Sequence, residues 1–141
     1  MAEREQTAAH RRTRDDHAQE TAEDYVEAIA ELIESAGTCR VTDLAARFGV
    51  THVTVTRIIS RLVREGFVLT EPHRPITLTP EGAELARMSK ERHELVFRFL
   101  RAIGVSERVA MIDSEGIEHH VSEETLDRFR RIADERAAAA P

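Results

Sequence analysis

Two carboxylates and two imidazoles stand close together in segment 114–121, which reads Ser-Glu-Gly-Ile-Glu-His-His-Val. If this segment is helical, Glu115, Glu118 and His119 occupy positions i, i+3 and i+4 and share one face. Electron-pair donors that face one another repel unless a cation lies among them. The spacing therefore favours a metal site over a solvated surface. His120 points away from that face, so we expect it to support the site rather than bind the ion.

Three further residues could contribute to the same site. Asp24 and Glu27 stand three positions apart, and His93 precedes an apolar run. Each also has an ordinary explanation, because acids in a first helical turn complement the helix dipole and a histidine beside apolar residues is commonly a core or interface residue. A helix-turn-helix pattern lies between these groups, and the combination predicts a metal-controlled DNA-binding protein.

The helix-turn-helix pattern runs from Val41 to Ile59, with Gly49 at the turn, where a positive φ is often required. Its second helix is predicted from Thr51, the N-cap, to about Glu65. Strands are predicted at 67–71 and 75–79, joined by a turn, which makes a β-wing. Hydroxyl, imidazole and guanidinium groups on the second helix and the wing suit base edges and phosphates. The predicted DNA-binding residues are Thr51, His52, Thr54, Thr56, Arg57, Arg61, His73 and Arg74.

The remaining elements are predicted to be helical. The first helix is expected from near Thr21 to Gly37, and a long helix from Thr79, its N-cap, to about Ala102. Shorter helices are predicted at 106–114 and 116–120, and a last helix begins after Ser122. The apolar residues of 95–103 exceed what one buried stripe needs, which predicts a homodimer interface.

The predicted fold class is therefore mainly α, with a winged helix-turn-helix followed by a helical dimerisation domain. The expected domains are a flexible N-terminal arm (1–20), the winged helix-turn-helix DNA-binding domain (21–79), the helical metal-binding and dimerisation domain (80–136) and a frayed tail (137–141).

The charge of the 141-residue chain is uneven. Its net charge is −6, yet residues 40–74 hold six arginines against three acids, while residues 105–136 hold five arginines against nine acids. The first region suits phosphates and the second suits a cation. The single cysteine, Cys39, and the lack of a signal peptide or of an apolar run of about 18 residues predict a cytoplasmic protein that binds no membrane.

Three segments in order around the winged helix carry a resemblance. They are Ala22-Glu23-Asp24-Tyr25-Val26-Glu27, Glu91-Arg92-His93-Glu94 and Asp113-Ser114-Glu115-Gly116-Ile117-Glu118-His119-His120. This order resembles the manganese transport regulator branch of the diphtheria toxin repressor family, over roughly residues 21–135. The resemblance implies a homodimeric repressor of operator DNA that is activated by Mn(II), two ions per protomer. The ligands it implies are Asp24, Glu27, His93, Glu115, Glu118 and His119.

The resemblance also distinguishes branches of the family. Iron-sensing members carry a C-terminal SH3-like domain, which is not expected in this chain, and sulfur-bearing residues where this chain has Asp24 and Glu118. Carboxylates with imidazole suit Mn(II), whereas sulfur shifts the preference towards iron, cobalt or zinc. The resemblance implies repression of manganese uptake genes, and export genes are also plausible targets.

Three alternatives stay open at this point. The first is an iron- or zinc-responsive regulator of the same family. The second is a carboxylate-bridged dimetal enzyme, which is disfavoured because the chain has no obvious nucleophile and little length for a substrate pocket. The third is a winged-helix regulator with an organic effector, although no organic ligand is expected.

Overall fold

The computed structural model describes residues 2–139, which form two compact units. We call Glu20–Met88 the winged unit and the rest of the described chain the helical unit. The predicted fold class, mainly α with a winged helix-turn-helix followed by helices, is confirmed. No helix among residues 2–139 is both long enough and apolar enough to cross a membrane. The predicted domain boundaries stay a prediction.

The first helix, α1 (Ala2–Ala36), is longer than expected, so the predicted start near Thr21 is wrong. Segment 2–20 lacks an apolar stripe, and most of its residues are exposed. It is nevertheless rich in Ala, Glu, Gln and Arg, holds no Gly or Pro, and so has high intrinsic helix propensity. Gly37 ends the helix as predicted, with φ 85° and its N–H donating to the Ile33 carbonyl at 2.9 Å.

The winged unit contains α2 (Val41–Phe48), α3 (His52–Arg64), β1 (Val68–Leu69) and β2 (Thr77–Leu78). Gly49 makes the turn between α2 and α3 with φ 64°. The two strands are antiparallel, with Val68 opposite Leu78, and are shorter than predicted. The core joins α1, α2, α3 and the wing, and its buried residues include Tyr25, Ile29, Cys39, Leu44, Val55, Ile59, Leu62, Val68 and Ile76.

The wing is tied to the start of α4 (Pro80–Ala102) by one residue. The Thr79 hydroxyl accepts from the Gly82 N–H at 3.0 Å and donates to the Gly66 carbonyl at 2.6 Å, and the Thr79 N–H donates to the Phe67 carbonyl at 3.1 Å. The predicted N-cap at Thr79 is thereby confirmed.

The helical unit contains α5 (Glu107–Ile117), one 3-10 turn (Glu118–His120) and α6 (Glu123–Ala139). The predicted break near Ser114 is wrong, because α5 continues to Ile117. Ser122 caps α6 as predicted, with its hydroxyl 3.3 Å from the Thr125 N–H. Helix α6 continues to Ala139, although a frayed tail was expected from residue 137. Residues 140–141 lie outside the described residues. The core of this unit comprises Leu95, Val96, Leu100, Ala110 and Leu126, flanked by the stacked rings of Phe99 and Phe129.

Candidate metal centre and nucleic-acid interface

The helical unit brings three of the predicted ligands together around a buried carboxylate. Glu118 is 3% exposed, its Oε2 lies 3.6 Å from His93 Nδ1, and its Oε1 lies 3.3 Å from His119 Nε2. The His119 side chain is as buried as the carboxylate, whereas His93 is one quarter exposed. Each oxygen of Glu118 therefore faces an imidazole of its own.

The end of α5 creates this arrangement. The Glu118 N–H donates to the Ser114 carbonyl, which closes the last turn, and Val121 then leaves in an extended conformation. Ser114 is fully buried, and its hydroxyl donates to the Met111 carbonyl at 3.1 Å. Because a small residue whose hydroxyl is satisfied within α5 occupies this buried position, the following turn can pack inwards.

The other predicted ligands lie on helices with different exposure. Glu115 is exposed on α5, whereas Glu118 and His119 lie in the 3-10 turn beyond α5. The prediction that all three share one face of a single α-helix is therefore wrong. Asp24 and Glu27 are half-buried on α1. The longer α1 also places the half-buried Glu20 one turn before Asp24 on the same face, which the predicted helix start had hidden.

The donor set in the helical unit fits a divalent transition metal. Two ligand atoms that each lie about 2.1 Å from one ion are separated by about 3.0 Å in octahedral and about 3.4 Å in tetrahedral geometry. The observed separations of 3.3 and 3.6 Å need little adjustment to match. Carboxylate with imidazole, shielded from water, is chemistry that Mn(II), iron and zinc accept, and the absence of sulfur favours the harder ions.

In the winged unit, the helix that would enter DNA is α3, and Thr51 fixes its first turn. The Thr51 hydroxyl accepts from the Thr54 N–H at 3.1 Å and donates to the Thr54 hydroxyl at 3.0 Å. This N-cap was predicted and is confirmed. The hydroxyls of Thr51 and Thr54, both predicted DNA contacts, are therefore hydrogen-bonded to each other.

The other predicted DNA contacts divide by exposure. His52, Thr56 and Arg57 are exposed on α3. Arg61 is half-buried, with its Nε 3.4 Å from Glu65 Oε1. The two wing residues are exposed at the turn: His73 has φ 64°, and Arg74 Nε lies 3.3 Å from Glu71 Oε2. Their role in DNA binding stays a prediction.

Four exposed residues of α3 lie outside the predicted DNA-binding set, namely Val53, Ser60, Val63 and Arg64. Polar side chains guided the predicted set, which excluded the two valines; Ser60 and Arg64 are polar and were left out all the same. A helical wheel fixed by the buried residues Val55, Ile59 and Leu62 would have found the missing residues, because it defines the outward face whatever the side-chain chemistry.

Comparisons with known proteins agree with both halves of this picture. Residues 17–76 match the family model described as "Iron dependent repressor, N-terminal DNA binding domain". Residues 79–137 match "Iron dependent repressor, metal binding and dimerisation domain". The transcriptional regulator MntR of Salmonella typhimurium is 45% identical over 130 residues, which cover 92% of this chain and 83% of that protein. The chain belongs to the diphtheria toxin repressor family.

Other members of the diphtheria toxin repressor family support the same assignment. MntR of Escherichia coli O157:H7 is 45% identical over 96% of this chain and 88% of its own length. A solved structure titled "Manganese-dependent transcriptional repressor complex with manganese" matches with a TM-score of 0.72 at 30% identity, over 80% of this chain. The manganese regulator SloR matches with a TM-score of 0.70 at 25% identity. The chain spans about half the length of these two solved chains.

These matches confirm the predicted branch of the diphtheria toxin repressor family. They also confirm the predicted class of function, a manganese-responsive DNA-binding transcriptional regulator rather than an enzyme. The iron- or zinc-responsive regulator and the dimetal enzyme are not favoured. DNA binding, metal binding and dimerisation are the properties that the two family models describe.

Proposed function

We propose that this chain forms a homodimeric repressor that binds operator DNA when it holds Mn(II), with Asp24, Glu27, His93, Glu115, Glu118 and His119 as ligands. The observation that carries the proposal is the buried Glu118 carboxylate, which meets His93 and His119 within 3.6 Å. A buried carboxylate is costly unless charge or strong hydrogen bonds compensate it, and a divalent cation supplies that charge. Asp24, Glu27 and Glu115 enter the ligand set through the family resemblance.

We further propose that each protomer binds two ions. The two oxygens of Glu118 face different imidazoles, so Glu118 could hold one ion together with His93 and another together with His119. Such sharing would also explain why one glutamate is buried at the centre of the cluster. A calorimetric titration with Mn(II) would give the stoichiometry directly.

Regulation follows if the DNA-competent state of the dimer holds the ions more tightly than its other states do. A coupling of about 1–3 kcal/mol between metal and DNA binding would change operator affinity by about 5- to 150-fold. The targets we propose are manganese uptake genes, with activation of export genes as a second activity. Such a regulator acts in the cytoplasm, where the chromosome lies.

The proposal is tested by changing the centre of the cluster. We expect Glu118→Gln and His119→Ala each to abolish Mn(II)-dependent binding of a duplex enriched from a random pool, while the dimer stays folded. Calorimetry measures metal binding, and an electrophoretic shift measures DNA binding. Glu94→Gln is the matched control, because Glu94 is an exposed acid on α4. An unchanged manganese response in both cluster variants would refute the proposal.

A further inference from the structure

Val53 is the most exposed large apolar side chain among the described residues, at 78%. It lies in the first turn of α3, between His52 and Thr54. An isolated exposed apolar residue needs no explanation on an ordinary surface. The position of this one does, because the N-terminal residues of the second helix in a helix-turn-helix are those that reach base edges.

Val53 also stands on the midline of the outward face of α3. With 3.6 residues per turn, the exposed residues Thr56, Arg57, Ser60 and Arg64 all lie within about 60° of Val53 around the helix axis. The residues of α3 that pack into the core occupy the opposite side; they are Val55, Ile59 and Leu62. A helix that presents this face to the major groove brings Val53 to the bases.

We propose that Val53 packs against the C5 methyl group of a thymine and thereby specifies a T·A pair at one position in each half-site. This inference rests on the proposed DNA-binding function. The valine side chain can form no hydrogen bond, so it can read a base only through apolar contact. Thymine exposes a C5 methyl group in the major groove, which side chains such as those of Ala and Thr contact. Against the N7 and O6 acceptors of guanine, the same side chain would remove water without replacing its hydrogen bonds.

The shape of the side chain adds to this selectivity. A β-branched residue in a helix is held in essentially one χ1 rotamer, so the two methyl groups of Val53 have fixed positions relative to the α3 backbone. The Thr51 cap in turn fixes the first turn of α3. A thymine methyl group is therefore met by a rigid apolar surface, with Arg57 one turn further along the same face.

The test removes the methyl group from either side of the contact. Duplexes are first selected from a random pool with the Mn(II)-loaded wild-type protein, and each thymine of the selected duplex is then replaced in turn by deoxyuridine. At one thymine per half-site we expect the replacement to weaken wild-type binding about fourfold, the value of one buried methyl group. Val53→Ala should bind the thymine duplex correspondingly less tightly and should lose less affinity than the wild type when deoxyuridine replaces that thymine.

Val63→Ala is the matched control, because Val63 is an exposed valine of the same helix that points about 80° away from Val53. We expect it to retain the wild-type response to deoxyuridine. The proposal is overturned if Val53→Ala binds as tightly as the wild type, or if both proteins lose the same affinity at every deoxyuridine. Failure of the wild type to enrich any duplex with Mn(II) would instead refute the DNA-binding function, and this inference with it.

Discussion

Glu118 is the residue at which stability and function conflict most directly. Its carboxylate is 3% exposed, and desolvating an ionised group disfavours folding unless the surroundings compensate the charge. His93 and His119 lie close enough to do so in part, but both are themselves predicted metal ligands. We therefore expect the metal-free protein to bear a cost here that the metal-bound protein does not.

The first prediction concerns this cost. In the presence of a chelator, Glu118→Gln should be as stable as the wild type or more stable, because a neutral amide is cheaper to bury. With Mn(II) at about 100 times its Kd, the wild type should gain about 2.7 kcal/mol of unfolding free energy per bound ion, whereas the variant should gain far less. Thermal unfolding with and without Mn(II) measures both differences. A variant that is less stable without metal but still gains the full increment would contradict the assignment.

Cys39 is a second residue whose surroundings oppose its charged form. Burial, and secondarily the Asp43 carboxylate, raise the pKa of the Cys39 thiol to about 11. The folded protein thus retains a proton that the unfolded chain releases near pH 9. The stability that this proton provides is fully present below pH 9 and is lost as the pH rises to 11, at most about 3 kcal/mol.

The second prediction is that unfolding by urea becomes easier for the wild type between pH 9 and 10, and that Cys39→Ala loses much of this dependence. Burial also raises the pKa of Tyr25, so a further decline above pH 10 is expected in both proteins. The comparison is one of slopes against pH, since the variant also loses packing. Parallel slopes for the two proteins would show that folding does not change the pKa of the Cys39 thiol, which would contradict this prediction.

At the scale of elements, the start of α4 is where local geometry is most constrained. Thr79 bonds to both Gly66 and Phe67, and Gly82 lies directly against the Phe67 carbonyl. A Cβ at position 82 would overlap that oxygen, so glycine is required for a close approach rather than for a special φ. The wing and α4 therefore keep their contact only with glycine at this position.

The third prediction compares two helical glycines. Gly82→Ala should destabilise the protein by about 1–3 kcal/mol, the usual cost of an overpacked contact that must shift backbone. Gly116→Ala in α5 has open space around the added methyl group and should stabilise the metal-free protein by up to about 1 kcal/mol through helix propensity. Urea unfolding in chelator measures both. Equal effects of the two substitutions would contradict the role of the Phe67 contact.

The elements also show which features a sequence reveals. Caps at Thr51, Thr79 and Ser122 and turns at Gly37 and Gly49 were predictable, because one residue and its neighbours determine them. The length of α1 was missed because its first half lacks the apolar stripe on which the prediction depended. The break predicted between Ser114 and Gly116 is absent, because α5 accommodates Gly116 and continues to Ile117.

The candidate site was predictable in a different way. Spacing suggested that Glu115, Glu118 and His119 share a helical face, yet α5 ends before Glu118. The approach of His93 to Glu118 joins residues 25 positions apart and depends on how α4 and α5 pack, so only the family resemblance could indicate it. Val53 was missed because polar type, rather than position on α3, guided the choice of DNA contacts.

At the scale of the whole molecule, four exposed apolar residues stand close together in the sequence, within segment 103–112 of the helical unit. Ile112 is 60% exposed and Met111 54%, with Ile103 and Val109 also exposed. Their region matches the family model described as a metal-binding and dimerisation domain. Covering these side chains with a second protomer would remove their apolar surface from water.

The fourth prediction follows from these exposed side chains. Ile112→Glu should shift the protein from dimer to monomer in sedimentation equilibrium and weaken operator binding by more than tenfold, because paired half-sites need two linked recognition helices. Leu69→Glu is the matched control: Leu69 has a similar exposure but lies in the wing. We expect it to leave the dimer intact. A dimer that survives Ile112→Glu with unchanged affinity would place the interface elsewhere.

The exposure of Val53 has an evolutionary consequence. A side chain that touches so little of its own protein contributes little to folding, so mutations at this codon escape selection for stability. Duplicated copies of such a regulator could therefore diverge in the promoters they recognise through a single amino-acid exchange, while the scaffold and its ion sensing are inherited unchanged.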